Sequence, residues 1–242
     1  MALYASIDQG NTATKLTVWR DGRPVERLMS RTPGIVGMHR ALTAHGPLDG
    51  AIYCSVRQRN DAHWQMLREL CPTAIELTHD TPLPIALHYD TPATLGLDRI
   101  AAAAGAVAAY PGRHCLVADI GTAVTYDYVG PDAAFNGGNI APGAGMRLRA
   151  LHAYTAALPK VDVDGPLPPH GCDTPTAMRC GALMGIAGEL TFYSSRLPDG
   201  GLTILTGGRA VTIAPLLSFD AITDPDLVGR GLISILEYNL SL

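Results

Sequence analysis

The chain has 242 residues, of which 47% are apolar and 17% charged, and a formal net charge of −4. That is enough apolar material for one large domain or two small ones. The mild acidity and the lack of any basic run argue against a nucleic-acid partner. No apolar run approaches the ~20 residues of a membrane span.

The first residues enter a strand pattern directly, with no basic segment followed by a long apolar one. The five cysteines are scattered without a C-x-x-C pair, and the eight histidines form no H-x-x-x-H pair with a nearby acid. Buried thiols in a reducing cytoplasm, with neither disulfides nor zinc, are therefore expected.

In chain order, Leu3–Ile7, Thr14–Trp19 and Pro24–Met29 read as strands, with Gly10-Asn11 and Asp21-Gly22 as the turns between them. A helix is predicted near Gly37–Ala44, a buried strand over Gly50–Ser55, an amphipathic helix over Asn60–Leu70 and a short strand over Thr73–Leu77. A Pro-rich loop, Thr81–Pro92, leads to a helix over about Leu95–Tyr110, which Pro111-Gly112 ends. The plan then recurs. Strands are predicted at Cys115–Asp119, Ala123–Val129 and Ala134–Ile140, and a helix over Gly143–Ala157. A polar connection, Pro159–Pro169, precedes a long helix over Thr174–Tyr193. A strand at Leu202–Thr206, a helix over Gly208–Leu217 and a last amphipathic helix over Asp226–Leu240 complete the chain. Two duplicated α/β domains, 1–111 and 112–242, are expected.

Two segments stand out. Asp8-Gln9-Gly10-Asn11-Thr12-Ala13-Thr14-Lys15 and Asp119-Ile120-Gly121-Thr122-Ala123 each set an aspartate, a glycine and a threonine after an apolar run. Such turns bring backbone N–H groups and a hydroxyl to phosphate oxygens, with the aspartate placed to hold a cation. An ordinary hairpin is the competing reading for each, since Gly-Asn is common turn chemistry. Facing one another, two such turns would make a nucleotide cleft. Asp127, two positions after Thr125 on the same strand face, reads by itself as a solvated strand residue.

Between these segments, Tyr89–Arg99 places Asp98 and Arg99 together where an Ala-rich helix begins. An aspartate there is good helix N-terminal chemistry, but Arg99 is not explained that way. A carboxylate at this point can accept a proton from a hydroxyl, and an arginine can clamp a carboxylate in two-point fashion. Gly137–Gly143 and Thr206-Gly207-Gly208 are Gly-rich turns that serve either as structure or as cleft lining.

Together these segments resemble the type III pantothenate kinases, a family that includes the Bvg accessory factor proteins and belongs to the sugar-kinase and actin superfamily. The matching pieces are Asp8–Thr12, Tyr89–Arg99, Asp119–Asp127, Gly137–Gly143, Thr174–Gly181, Thr206–Gly208 and Gly231-Leu232. The resemblance implies an α/β fold of two duplicated ribonuclease-H-like, actin-like ATPase domains with a cleft between them. It implies ATP-dependent phosphorylation of pantothenate to phosphopantothenate, the first step of coenzyme A biosynthesis, in the cytoplasm. Carried over by motif, Asp98 is the general base, and Tyr89, Gly96, Leu97, Asp98 and Arg99 bind pantothenate. Asp8, Gln9, Gly10, Asn11, Thr12, Ala13, Thr14, Lys15 and Thr122 bind ATP. Asp119 holds a monovalent cation, potassium or ammonium, and Asp8 is a candidate magnesium ligand. Thr174 reaches the pantothenate of the other subunit in a homodimer whose site lies at the interface. Gln9 departs from the aliphatic residue usual in the family, and Lys15 is not a fixed family residue.

No P-loop sequence G-x-x-x-x-G-K-[ST] is present. The alternatives are a kinase of another small hydroxyl substrate such as a sugar, a polyphosphate-cleaving phosphatase, and a non-catalytic accessory protein on the same scaffold.

Overall fold

A computed structural model describes residues 2–31 and 34–242. The chain divides into two compact units. The first is Met1–Gly112 with Pro131–Asn136 and Asp226–Leu242; the second is Arg113–Gly130 with Gly137–Pro225.

In the first unit, β1 (Leu3–Gln9), β2 (Thr14–Arg20) and β3 (Arg23–Ser30) form an antiparallel meander. After helix α1 (Ile35–Thr43), β4 (Gly50–Ser55) returns parallel to β1. Helix α2 (Asp61–Leu70) then leads to β5 (Ile75–Glu76), parallel to β4. The sheet order is β3-β2-β1-β4-β5. The composition of the strands follows from position. Central β1 and β4 are buried almost throughout, whereas edge strand β3 alternates between exposed and half-buried residues. Within β1, the buried Ser6 Oγ accepts the Trp19 indole N–H at 2.9 Å. Helix α2 starts where predicted, because the Asn60 side chain caps it by accepting from the His63 N–H.

The Pro-rich segment that reads as pure loop contains a two-residue strand, β6 (Ala86–Leu87), which pairs in parallel with Ala134 and Phe135. A short 3₁₀ turn, Pro92–Thr94, then precedes α3 (Leu97–Ala109). The alanines of α3 have a packing reason. The closing helix α7 (Leu227–Leu240) lies against α3 so closely that a Cβ on Gly231 would stand 1.7 Å from the Ala101 carbonyl oxygen. One on Gly105 would stand 2.2 Å from that of Leu227. Only small residues permit such backbone contact.

The second unit repeats the plan. β7 (Cys115–Ile120), β8 (Ala123–Val129) and β9 (Ala134–Pro142, whose first three residues belong to the first unit) are followed by α4 (Ala144–Tyr154) and α5 (Thr174–Ser194). β10 (Leu202–Thr206) runs parallel to β7, and β11 (Ile222–Thr223) parallel to β10. Read from β9, the order β9-β8-β7-β10-β11 repeats β3-β2-β1-β4-β5 of the first sheet element for element, with β6 added beyond β9. The core joins Leu116, Ala118, Ile120, Val124 and Tyr126 of the sheet to Leu183, Ile186 and Leu190 of α5. The helix expected over Gly208–Leu217 is only α6 (Ala210–Ile213), which tightens into a 3₁₀ turn over Ala214–Leu216. Pro215 lacks the N–H that would continue the α-helix. Duplicated α/β architecture is thus what the chain adopts.

Candidate active site

In the first unit, the turn after β1 is closed by the Gly10 N–H donating to the Ala13 carbonyl at 3.0 Å. Asn11 and Thr12 at its tip are exposed, Ala13 is half-buried, and Thr14 is buried at the start of β2. Asp8, half-buried, is paired across the strands with Lys15 on one side and Cys54 on the other. The turn therefore presents Asn11 and Thr12 at the surface, with the Asp8 carboxylate one strand residue behind.

Asp98 sits in the first turn of α3. Its Oδ1 accepts the Arg99 N–H at 2.9 Å, and a Cβ on Gly96 would stand 2.6 Å from that oxygen. Gly96 is thus the residue that lets the carboxylate fold over the helix start. Burial pushes the Asp98 carboxyl above its ordinary value, outweighing the hydrogen bond and the Arg99 charge that favour ionisation. Arg99 itself is buried, its guanidinium 5.9 Å from the Tyr89 ring centre and 5.4 Å from that of Phe135. The two rings pack edge to face with centres 5.8 Å apart. Tyr89, Gly96, Leu97, Asp98 and Arg99 are consequently one cluster. Both Asp8 and Asp98 act electrostatically on the Cys54 thiol, which burial above all pushes well up. That places the two aspartates around the carboxyl end of β4.

In the second unit, the Gly121 N–H donates to the Ala123 carbonyl at 2.9 Å, and the Thr122 carbonyl accepts the Gly143 N–H at 3.1 Å. Thr122 is exposed. Asp119 is half-buried and paired with Thr206 of β10. Gly207, with φ of +85°, leaves room for it: a Cβ there would stand 2.2 Å from Asp119 Oδ1. Among the described residues, the buried Thr206 hydroxyl has no hydrogen-bond partner. Asp127 is fully buried rather than solvated, and Gly138 is small because a Cβ would stand 2.3 Å from its Oδ1. Thr174 is exposed at the start of α5, whose cap is the reciprocal pair of Asp173 and Thr176.

Sequence reasoning passed over several contributors. Phe135 gives no signal in a strand, since its contact with Arg99 is tertiary. Cys54 enters only through the β1–β4 register. Gly207 has a local sign, a Gly-Gly after a strand, but its closeness to Asp119 needs the sheet order. The Gln9 side chain is bound within the unit: Nε2 donates to the Gln58 carbonyl at 3.1 Å, and Oε1 accepts from the Tyr53 hydroxyl. Among the described residues, no group of three or more His, Cys, Asp or Glu side chains converges as a metal cage. No helix among them is long and apolar enough to cross a membrane.

A family model described as type III pantothenate kinase matches residues 5–195. The type III pantothenate kinase of Azobacteroides pseudotrichonymphae genomovar. CFP2 is 37% identical over 238 residues, covering 98% of this chain and 97% of its own. That of Phocaeicola vulgatus is 38% identical over 236 residues, covering 96% and 97%. Among solved structures, a Baf family transcriptional activator from Campylobacter jejuni superposes with a TM-score of 0.63 at 21% identity, covering 98% of this chain and 100% of its own. Component A of the (R)-2-hydroxyglutaryl-CoA dehydratase of Acidaminococcus fermentans does so with a TM-score of 0.57 at 16% identity, covering 98% and 97%. At such identities these two share the fold alone. The motif order, the repeated sheet and the full-length relatives agree, and the chain belongs to the type III pantothenate kinase family.

Proposed function

We propose that Asp98 is the general base in ATP-dependent phosphorylation of pantothenate, the first step of coenzyme A biosynthesis and the reaction of this family. The observation that carries the assignment is the Asp98 carboxyl, half-buried at a helix start and raised in pKa beside Arg99. A carboxylate raised in this way by burial is a stronger base than a solvated one. It takes the proton of the primary hydroxyl as that oxygen bonds to the γ-phosphorus and the bond to the departing ADP breaks. Arg99, its guanidinium near the Tyr89 and Phe135 rings, is assigned to the pantothenate carboxylate. Gly96 and Leu97, on either side of the helix start, are assigned to the same substrate.

The Asp8–Lys15 turn and Thr122 are assigned to ATP, with Asn11, Thr12 and Ala13 at the tip as donors and Gly10 and Thr14 holding the turn's shape. Asp8 fits a magnesium ion held mainly by the nucleotide, since magnesium commonly takes only one or two carboxylates beside phosphate oxygens. Asp119, with the unpartnered Thr206 hydroxyl on the neighbouring strand, fits a monovalent cation such as potassium. Bound cations would offset the charge of the triphosphate, a contribution that phosphoryl transfer requires. The reading includes a homodimer in which Thr174 faces the pantothenate of the second subunit. In its support, the second unit exposes Ile140, Met146, Leu151, Tyr154 and Phe192.

The test is turnover of pantothenate by Asp98→Asn with ATP, magnesium and potassium. A fall in kcat on the order of 10²–10⁴-fold is expected, with binding of both substrates retained. Near-wild-type turnover would remove the base role. A wild-type protein inert toward pantothenate would favour the accessory-protein alternative.

A further inference from the structure

The clasp made by Gln9 has a neighbour with a chemical use. Gln9 is 4% exposed, and its side chain bonds Tyr53 of β4 and the segment that follows β4. Besides the bonds to Gln58 and Tyr53, its Oε1 accepts the Asn60 N–H at 3.2 Å. Its own carbonyl accepts the Val56 N–H, also at 3.2 Å. The Tyr53 hydroxyl meets the same Asn60 N–H at 3.2 Å. The residue directly behind the phosphate turn thus ties the 56–60 loop to the end of β1.

That loop carries two arginines with opposite fates. Arg59 is occupied: it bonds Asp61 at 2.9 Å, pairs with Glu76 and lies 5.7 Å from the Trp64 ring centre. Arg57 is exposed, and among the described residues its guanidinium makes no hydrogen bond or ion pair. Its backbone is nonetheless fixed, because Ser55 Oγ donates to the Arg57 carbonyl at 2.8 Å and accepts its N–H at 3.3 Å. The Arg57 charge reaches the Tyr53 phenol. β1 and β4 are parallel and end together here, and ligands of open α/β sheets bind beyond such carboxyl ends. Asp8 and Asp98 stand at the same edge. Two carboxylates at a site for a highly charged anion call for a cation, and Lys15 and Lys160 are the only lysines in the chain.

We propose that Arg57 is an anion-binding residue of the phosphoryl-donor site, contacting the triphosphate of ATP, and that Gln9 is the positioning residue that aims it. The proposal rests on the kinase reading above. An arginine on a tethered loop contacts phosphate oxygens through two N–H groups, which a lysine does not match.

The experiment is calorimetric titration of the full chain with ATP and magnesium, without pantothenate, followed by steady-state kinetics. The variants are Arg57→Ala, Arg57→Lys, Gln9→Leu and the double variant Gln9→Leu/Arg57→Ala. Arg57→Ala, at an exposed position, is expected to fold and to weaken ATP binding by about 10- to 100-fold, as for loss of a hydrogen bond to a charged group. The KM for pantothenate should not change, and Arg57→Lys should restore part of the loss. Gln9→Leu should weaken ATP binding less, and adding Arg57→Ala to it should cost less than Arg57→Ala alone, because the two act as one unit. Unchanged ATP affinity in Arg57→Ala, or a loss that falls on pantothenate instead, would overturn the proposal. A Gln9→Leu protein with lowered Tm and unaltered ATP affinity would overturn the positioning role. Tight ATP binding by a wild-type chain inert toward pantothenate would strike the kinase reading and leave Arg57 standing.

Discussion

The turn after β1 and the turn after β7 are copies of one device that have diverged. Each follows the central strand of a sheet with the same order, and each sets an aspartate two residues before a glycine whose N–H closes the turn. The first leaves four residues, 10–13, between its strands, and the second only two, 121–122. The longer turn exposes Asn11 and Thr12 in succession. The shorter one exposes Gly121 and Thr122, and the Thr122 carbonyl fixes the start of α4 through Gly143. Their surroundings differ as well. Asp8 shares its strand edge with Asp98 and the exposed Arg57, whereas Asp119 faces the Gly207 cradle and a Thr206 hydroxyl that has no partner among the described residues. On the proposed reading, the duplicated scaffold gives one edge to proton and phosphate chemistry and the other to a cation.

The sharpest way to break this comparison is to exchange the losses. Asp98→Ala should lower kcat on the order of 10²–10⁴-fold at every potassium concentration. Asp119→Ala should lower activity less and abolish the response to potassium, read from rates across a potassium series. If Asp119→Ala kept the response, the two edges would not divide the work in this way.

Next in size is the backbone contact between α3 and α7 of the first unit. Gly231→Ala places a methyl group where the Ala101 carbonyl stands, and should cost about 1–3 kcal/mol or more in thermal unfolding. An unchanged Tm would mean that α3 and α7 pack less closely than described. In the second unit, Gly207→Ala forces a positive φ and crowds Asp119, a cost of at least about 1 kcal/mol. It should also weaken the potassium response, which a purely structural glycine would leave intact.

The smallest effect concerns pH. The folded-state pKa of Asp98 is raised by burial, so the folded chain binds its proton more readily than the unfolded one. Asp98 therefore lowers stability as pH rises from the ordinary aspartate value through its raised one, and the deficit persists above. Asp98→Asn, which keeps an oxygen for the Arg99 N–H, should be more stable than wild type at neutral pH, with the advantage fading in acid. Chemical denaturation at neutral and acidic pH reads this directly, and an advantage that grew in acid would contradict the burial argument.

Much of the arrangement was legible beforehand. Strand and helix positions follow from apolar period and from Gly and Pro punctuation, which are local, so β4, β8 and β10 fall where the pattern puts them. The aspartate turns and the Asp98–Arg99 pair were visible because their chemistry resides in adjacent residues. The two-residue strands β6 and β11 were not visible, since so short a pairing exists only through its partner. Asp127 was misread because an acid in a strand reads as solvated unless the neighbouring strands are known. The division between the two Gly-rich roles of Thr206-Gly207-Gly208 also stayed open.

The sequence by itself determined the α/β class, the repeat, the family and the residues bearing reactive groups, because each depends on order along the chain. Tertiary structure alone decided that α7 closes on α3, that Phe135 backs Arg99, that Gly207 makes room for Asp119, and that Gln9 is tied to the loop of Arg57. Those outcomes depend on which strands and helices become neighbours, and that distance in space is not encoded by separation in sequence.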